Sequence, residues 1–212
     1  MMTGTAHALR RERLGILGGS FNPVHNGHLL LAQTALEVFD LNRVLFMPCA
    51  IQPHKPPAVL APAAHRAAMI EAAILDNLSF DLLDIELRRG GVSYSVDSLR
   101  EIRTLHPHAD LFFLIGADTL TDLHGWKDIY TVLEMCTFAV FARPGYDAKA
   151  LRPDLLGLDP PWPERLLQNL CTMRQIDISA SDIRHRVAEG LSIRYLVPQA
   201  VEMILMEHHL YR

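Results

Sequence analysis

Three cysteines, Cys49, Cys136 and Cys171, stand far apart in a chain of 212 residues. Their odd number and wide spacing exclude a CxxC metal pair and a disulfide-stapled fold. They suit free thiols in a reducing compartment, so a cytoplasmic protein is expected. Lysine is scarce, with three against seventeen arginines. No apolar run is long enough to span a bilayer, so no membrane partner is expected. Met1 to Arg13 carries charge with no apolar stretch behind it, and reads as a short mobile tail rather than a signal peptide. The net charge of -4 provides no broad basic surface. That argues against non-specific nucleic-acid binding and leaves room for a local pocket for one small anion. Low-complexity linkers and internal repeats are missing too. With half its residues hydrophobic, the chain suits one α/β domain over 1–212. Nothing in the pattern specifies an oligomeric state. Two common phosphate motifs are also absent: G-x-x-x-x-G-K-[ST], and G-x-G-x-x-G after the first strand.

What is present is one dense stretch. Leu14-Gly15-Ile16-Leu17 reads as a strand and Leu29 to Phe39 as a helix. Between them lies Gly18-Gly19-Ser20-Phe21-Asn22-Pro23-Val24-His25-Asn26-Gly27-His28. In an open parallel sheet, such a loop sits at the carboxyl end of its strand, where ligands bind. The glycine pair is expected to turn the backbone sharply and close to a ligand, and Pro23 to stiffen it. Asn26 is the expected N-cap, with Gly27 and His28 in the first helical turn. Backbone N–H groups and the positive end of the helix dipole then face an anion. His25 and His28 add donors and, when protonated, positive charge. A solvent-facing turn also uses Gly, Asn and Pro. The coincidence of glycines, proline and His-x-Gly-His between one strand and one helix points instead to a phosphate cradle.

Strands and helices alternate along the rest of the chain. Arg43 to Pro48 reads as a strand buried on both faces. A proline-rich loop, Cys49 to Pro62, leaves the carboxyl end of this strand, the ligand side of the sheet, and contains Gln52-Pro53-His54-Lys55-Pro56-Pro57. Ala63 to Leu75 reads as a helix with Ala67, Ile70, Ala73 and Ile74 inside and Arg66 on a solvated face. Phe80 to Leu87 reads as a strand, with Leu83, Ile85 and Leu87 alternating against Asp84 and Glu86. Ser95 is the expected N-cap of a helix reaching Leu105, with Tyr94 and Leu99 as a hydrophobic staple. The same helix start would also suit a ligand carboxylate. Leu111 to Ile115 is a buried strand ending in Gly116-Ala117-Asp118. There Asp118 either accepts ribose hydroxyls or caps the helix that follows. Trp126 opens a helix through Val132 and Leu133, as core or as a stacking surface.

Thr137 to Ala142 is a further strand, closed by the turn Arg143-Pro144-Gly145-Tyr146. Asp147 to Pro163 is irregular, and Gln175 to Ile178 is a final short strand. Ser179-Ala180-Ser181-Asp182-Ile183-Arg184 opens a helix, with Ser179 and Asp182 as a capping box. Arg184 has the forked geometry that clamps phosphate. Val197 to Leu210 is the last amphipathic helix. The fold expected is α/β and Rossmann-like: an open parallel sheet with helices on both faces and a small C-terminal helical part.

In order and spacing, these segments resemble the bacterial nicotinate-nucleotide adenylyltransferases of the nucleotidylyltransferase superfamily. The resemblance covers nearly the whole chain, from Gly18-Gly19-Ser20-Phe21-Asn22-Pro23 and His25-Asn26-Gly27-His28 to the Leu210-Tyr211-Arg212 ending. It implies an enzyme joining ATP and nicotinate mononucleotide to give deamido-NAD and pyrophosphate, with Mg²⁺ riding on the triphosphate. By this resemblance His25, His28, Lys55 and Arg184 carry the catalysis. Gly18, Gly19, Ser20, Phe21, Gly116, Asp118, Arg143, Ser179 and Ser181 join the histidines and Arg184 around ATP. Ser20, Phe21, Lys55, Tyr94, Ser95 and Trp126 meet the acceptor. The chain departs from the pattern at Asn22, where many members have aspartate, and at Ser181, where many have threonine. Lys127 stands where some relatives have an aromatic residue.

The chemistry needs no nucleophile–base pair, because the acceptor phosphate is already ionised at neutral pH. Positioning and charge stabilisation suffice. His28 is placed nearest the developing charge, Lys55 between acceptor and donor phosphates, and Ser179, Ser181 and Arg184 on the β and γ phosphates. Other acceptors, nicotinamide mononucleotide or phosphopantetheine, fit the same first motif. A nucleotide-binding regulatory module without turnover is a further alternative. A metal-dependent hydrolase lacks a carboxylate-rich second motif.

Overall fold

The computed structural model describes residues 11–53, 60–142, 150–172 and 176–212. Among these, six strands form one sheet in the order β3-β2-β1-β4-β5-β6, every pair parallel. The strands are β1 (Arg13–Gly19), β2 (Arg43–Pro48), β3 (Phe80–Leu82), β4 (Asp110–Gly116), β5 (Thr137–Ala142) and β6 (Leu170–Thr172). The helices are α1 (Asn26–Val38), α2 (Ala63–Ile74), α3 (Ile85–Arg89), α4 (Ser95–Leu105), α5 (Ile129–Met135), α6 (Trp162–Gln168), α7 (Ala180–Ala188) and α8 (Gln199–Glu207). A 3₁₀ stretch, Ala117–Gly125, follows β4. The chain runs outward from β1 to β2 and β3, then returns to β4 on the other side. The order therefore reverses between β1 and β4, the place where ligands enter open α/β sheets.

Period-two alternation along the strands builds two cores. Leu17, Val44, Phe46, Phe112, Leu114, Ala139 and Phe141 face one side, with α1, α2, α7 and α8. Leu14, Ile16, Leu45, Met47, Phe113, Ile115, Phe138 and Val140 face the other, with α3, α4, α5 and α6. Strands buried on both faces explain the continuous apolar runs. No helix among the described residues is long and apolar enough to cross a membrane.

Four sequence expectations are corrected. Phe80–Leu87 is not one strand: β3 ends at Leu82 and α3 begins at Ile85. Ile85 and Glu86, adjacent and both buried, sit in the first turn of α3. Gln175 lies outside the described residues, and Ile176–Ile178 form no strand; the sixth strand is Leu170–Thr172 instead. The described part of the irregular region holds a 3₁₀ turn, Pro153–Leu155, and α6 begins at its end, at Trp162. The expected tail ends early, since Arg13 opens β1 and the Glu12 carbonyl accepts from the Asp110 N–H at 2.7 Å; residues 1–10 lie outside the described residues.

Candidate active site

Gly18 and Gly19 do not form the turn. They stay in β1, paired with Met47 and Pro48, at the carboxyl end of the central strand. The turn falls at Phe21, whose φ is 45°, and at the cis Asn22–Pro23 peptide. A bulky residue in the left-handed region costs on the order of 1–3 kcal/mol. Packing holds it there: the Phe21 ring is buried, 5.8 Å from Phe46 and 4.9 Å from His28.

The N-cap of α1 is His25 rather than Asn26. Asn26 instead reaches the C-terminal part, donating from its side chain to the Tyr195 carbonyl at 2.7 Å and from its N–H to the Leu196 carbonyl at 2.9 Å. The His25 N–H donates to His28 Nδ1 at 3.2 Å, and the two rings stack at 3.7 Å. While Nδ1 accepts this bond, the ring can donate only from Nε2. A Cβ at Gly27 would lie 3.0 Å from His25 Nδ1 and press on the stacked ring. His25 is buried and His28 half-buried, so His28 is the more accessible of the two.

Arg184 comes to this loop from α7. It donates to the Asn22 carbonyl at 2.7 Å and to Ser181 Oγ at 3.2 Å. Ser179 is the N-cap expected, its Oγ accepting the Asp182 N–H at 3.1 Å. A second helix start, with Ser179 and Ser181 exposed, thereby stands beside the first.

Sequence reasoning missed Arg66, which is not on a solvated face: it is 2% exposed. It donates to the Ser20 carbonyl at 2.8 Å and the Ala61 carbonyl at 3.1 Å. Asn22 was missed as well. Its Oδ1, fully buried, accepts from the Ala61 N–H at 2.9 Å and the Tyr211 hydroxyl at 2.6 Å. The available signal was the position of Asn22 inside the loop and of Arg66 four residues past the Pro62 helix start. Neither spacing reveals a partner far away in sequence.

Tyr94, Ser95 and Trp126 lie on the other face of the sheet, with Tyr94 and Trp126 packed on the second core. Tyr94, not Ser95, is the N-cap of α4, and its carbonyl accepts the Asp97 and Ser98 N–H groups. Ser93 fixes this helix start to the exit of β2: its N–H donates to the Ile51 carbonyl and its Oγ accepts from the Ala50 N–H, both at 2.9 Å. Trp126 ends the 3₁₀ stretch rather than opening a helix, and meets Phe113 edge-on at 6.0 Å. Lys127 Nζ lies 4.6 Å over the Tyr94 ring and 3.0 Å from Asp97 Oδ2. Beneath them Glu86 accepts from Ser98 Oγ at 2.5 Å, and burial pushes its carboxyl above the ordinary range against the pull of Ser98, Ser93 and Arg89.

Gly116 ends β4, directly across the switch point from the β1 loop, and Asp118 is exposed in the first turn of the 3₁₀ stretch. Gly116, not Asp118, occupies the cap position there. Lys55 and Arg143 lie outside the described residues. Burial pushes the Cys49 thiol up to about 11 and Cys136 up to about 12, which suits inert thiols rather than nucleophiles. Among the described residues no three of His, Cys, Asp and Glu gather into a metal-binding group.

The cytidylyltransferase-like family model matches residues 16–186. A protein from Geotalea uraniireducens (strain Rf4), named "Probable nicotinate-nucleotide adenylyltransferase", is 38% identical over 218 residues, covering 94% of this chain and 98% of the relative. Its namesake from Citrifermentans bemidjiense is 41% identical over 211 residues, with the same coverage. Among solved structures, Plasmodium falciparum nicotinic acid mononucleotide adenylyltransferase complexed with NaAD matches with a TM-score of 0.74 at 18% identity, over 95% of this chain and 98% of that one. That likeness is one of fold.

Proposed function

The chain belongs to the nicotinate-nucleotide adenylyltransferase family, and from that premise we propose that it transfers the adenylyl group of ATP to nicotinate mononucleotide. An oxygen of the acceptor phosphate attacks the α-phosphorus of ATP. A new P–O bond forms, the bond from the α-phosphorus to the bridging oxygen breaks, and pyrophosphate leaves with that electron pair. The products are deamido-NAD and pyrophosphate. No proton need be removed from the nucleophile, so positioning and charge stabilisation carry the catalysis.

The observation that carries this reading is the meeting of two helix starts at the carboxyl end of β1, with His28 on one and Arg184 on the other, joined through Asn22. His28 Nε2–H donates to the reacting phosphates, and His25 holds its ring. Ser179, Ser181 and Arg184 take the β and γ phosphates. Gly18, Gly19, Ser20 and Phe21 line the approach, Lys55 and Arg143 add charge, and Gly116 with Asp118 shapes the adenosine side. Mg²⁺ would be carried on the triphosphate, where it would neutralise part of the charge that Arg184 and the helix starts also meet.

The acceptor ring belongs beside Tyr94, Ser95 and Trp126. The N–H groups that open α4 favour a carboxylate, which accepts at both oxygens, over an amide whose NH₂ would face donors. Lys127 adds an ammonium close by, shared with Asp97. The test is kcat/KM for nicotinate and nicotinamide mononucleotide at one ATP concentration, followed by pyrophosphate release. A preference for the nicotinate form is expected. Equal values would overturn the donor pocket, and no pyrophosphate with either would leave a nucleotide-binding module.

A further inference from the structure

Tyr211 does not belong to any segment placed on a substrate, yet its hydroxyl enters the site region. It donates to Asn22 Oδ1 at 2.6 Å, while the carbonyl of the same Asn22 accepts from Arg184 at 2.7 Å. One residue thus receives Tyr211 on its side chain and Arg184 on its backbone. The backbone past α8 adopts unusual angles to deliver the ring: His209 has φ 51° and Tyr211 φ 64°, both left-handed and neither glycine. Such angles persist where surrounding contacts over-determine them, and they concentrate near functional sites. Burial raises the Tyr211 phenol above its ordinary value against the pull of Arg184 and Arg66, so it remains a donor across the working pH range.

We infer that Tyr211 is a positioning residue for the ATP phosphates, acting through Asn22 to hold Arg184 in its phosphate-facing place. A guanidinium on a long side chain must be ordered before it can clamp an anion, and a site that orders it beforehand binds more tightly. Asn22 supplies that order only if it is itself fixed. It is fixed from two sides, by Ala61 and by Tyr211. A contact that merely closed the core would need no hydroxyl, and the apolar part of the ring already packs against the first core.

This inference rests on the assignment of Arg184 to ATP, and its test is separable from turnover. Affinity for Mg-ATP is measured by calorimetry, without acceptor, in wild type, Tyr211→Phe, Arg184→Ala and the double variant. Tyr211→Phe should weaken ATP about fivefold, the scale of one hydrogen bond. In the Arg184→Ala background it should cost nothing further. KM for ATP should rise in Tyr211→Phe while KM for nicotinate mononucleotide stays level. An equal loss in both backgrounds, a rise in both KM values together, or unchanged ATP affinity would overturn the inference. Wild-type turnover of ATP with nicotinate mononucleotide reports separately on the activity itself.

Discussion

Arg66 spans 46 residues of sequence to hold the Ser20 carbonyl at 2.8 Å, with Ala61 held by the same guanidinium. The helix after one loop thereby fixes the backbone of another. Arg66→Met should remove both bonds and leave two carbonyls poorly satisfied, destabilising the protein by about 2–4 kcal/mol. Arg66→Lys should recover only part of this, because a single ammonium does not reproduce the fork. Urea denaturation of the three proteins checks it, and an unchanged midpoint in Arg66→Met would sink the idea.

His28→Ala should lower kcat by roughly 10²–10³-fold, the scale of one preorganised donor, with a smaller change in KM for ATP. The ring also packs at 4.9 Å against Phe21, which sits at φ 45°, so a lower melting temperature should accompany the loss. Steady-state kinetics on the folded variant decides the matter: a near-normal kcat would remove His28 from the mechanism.

Arg184→Lys should raise KM for ATP and slow turnover. Lysine cannot meet the Asn22 carbonyl and Ser181 Oγ with one planar group as Arg184 does. Wild-type kinetics in the lysine variant would mean that a point charge is enough.

Glu86 gives a pH dependence with a definite sign. Its folded carboxyl lies above the ordinary value of 4.5 because it is desolvated. A raised acid contributes stability below its unfolded pKa and loses it as pH rises through the folded value. Glu86→Gln keeps an acceptor for Ser98 and cannot ionise. Its melting temperature relative to wild type should therefore improve as pH is raised from about 4 to about 8. A difference that stays flat across that range would show that Glu86 ionises without cost.

The strand–loop–helix at Arg13–Val38 was legible because its apolar period, glycines and histidines are all local. So were the switch point beside Gly116 and the cap at Ser179. Arg66 was not, since an arginine on a helix normally faces water and its burial depends on carbonyls from two other segments. Asn22 stood out only as a departure from the family pattern, because nothing near it in sequence predicts Tyr211. At Phe80–Leu87 alternation of apolar and acidic residues imitated a strand, and the burial of Glu86 beside Ile85 became visible only with Ser98 in place. The caps at His25 and Tyr94 each fell one residue before the expected position, the usual uncertainty of a helix boundary.

The place of β1 inside the sheet bears on how the molecule breathes. β1 is hydrogen-bonded on both sides, to β2 and β4, whereas β3 and β6 are three-residue edges. Local opening begins where few bonds must break, so amides of the edge strands should exchange with solvent long before those of Leu14 to Leu17. Fraying at either margin then leaves the Gly18–His28 segment anchored to a strand bonded on both sides. Phosphate groups would meet the same arrangement of donors even while the outer strands are transiently undone.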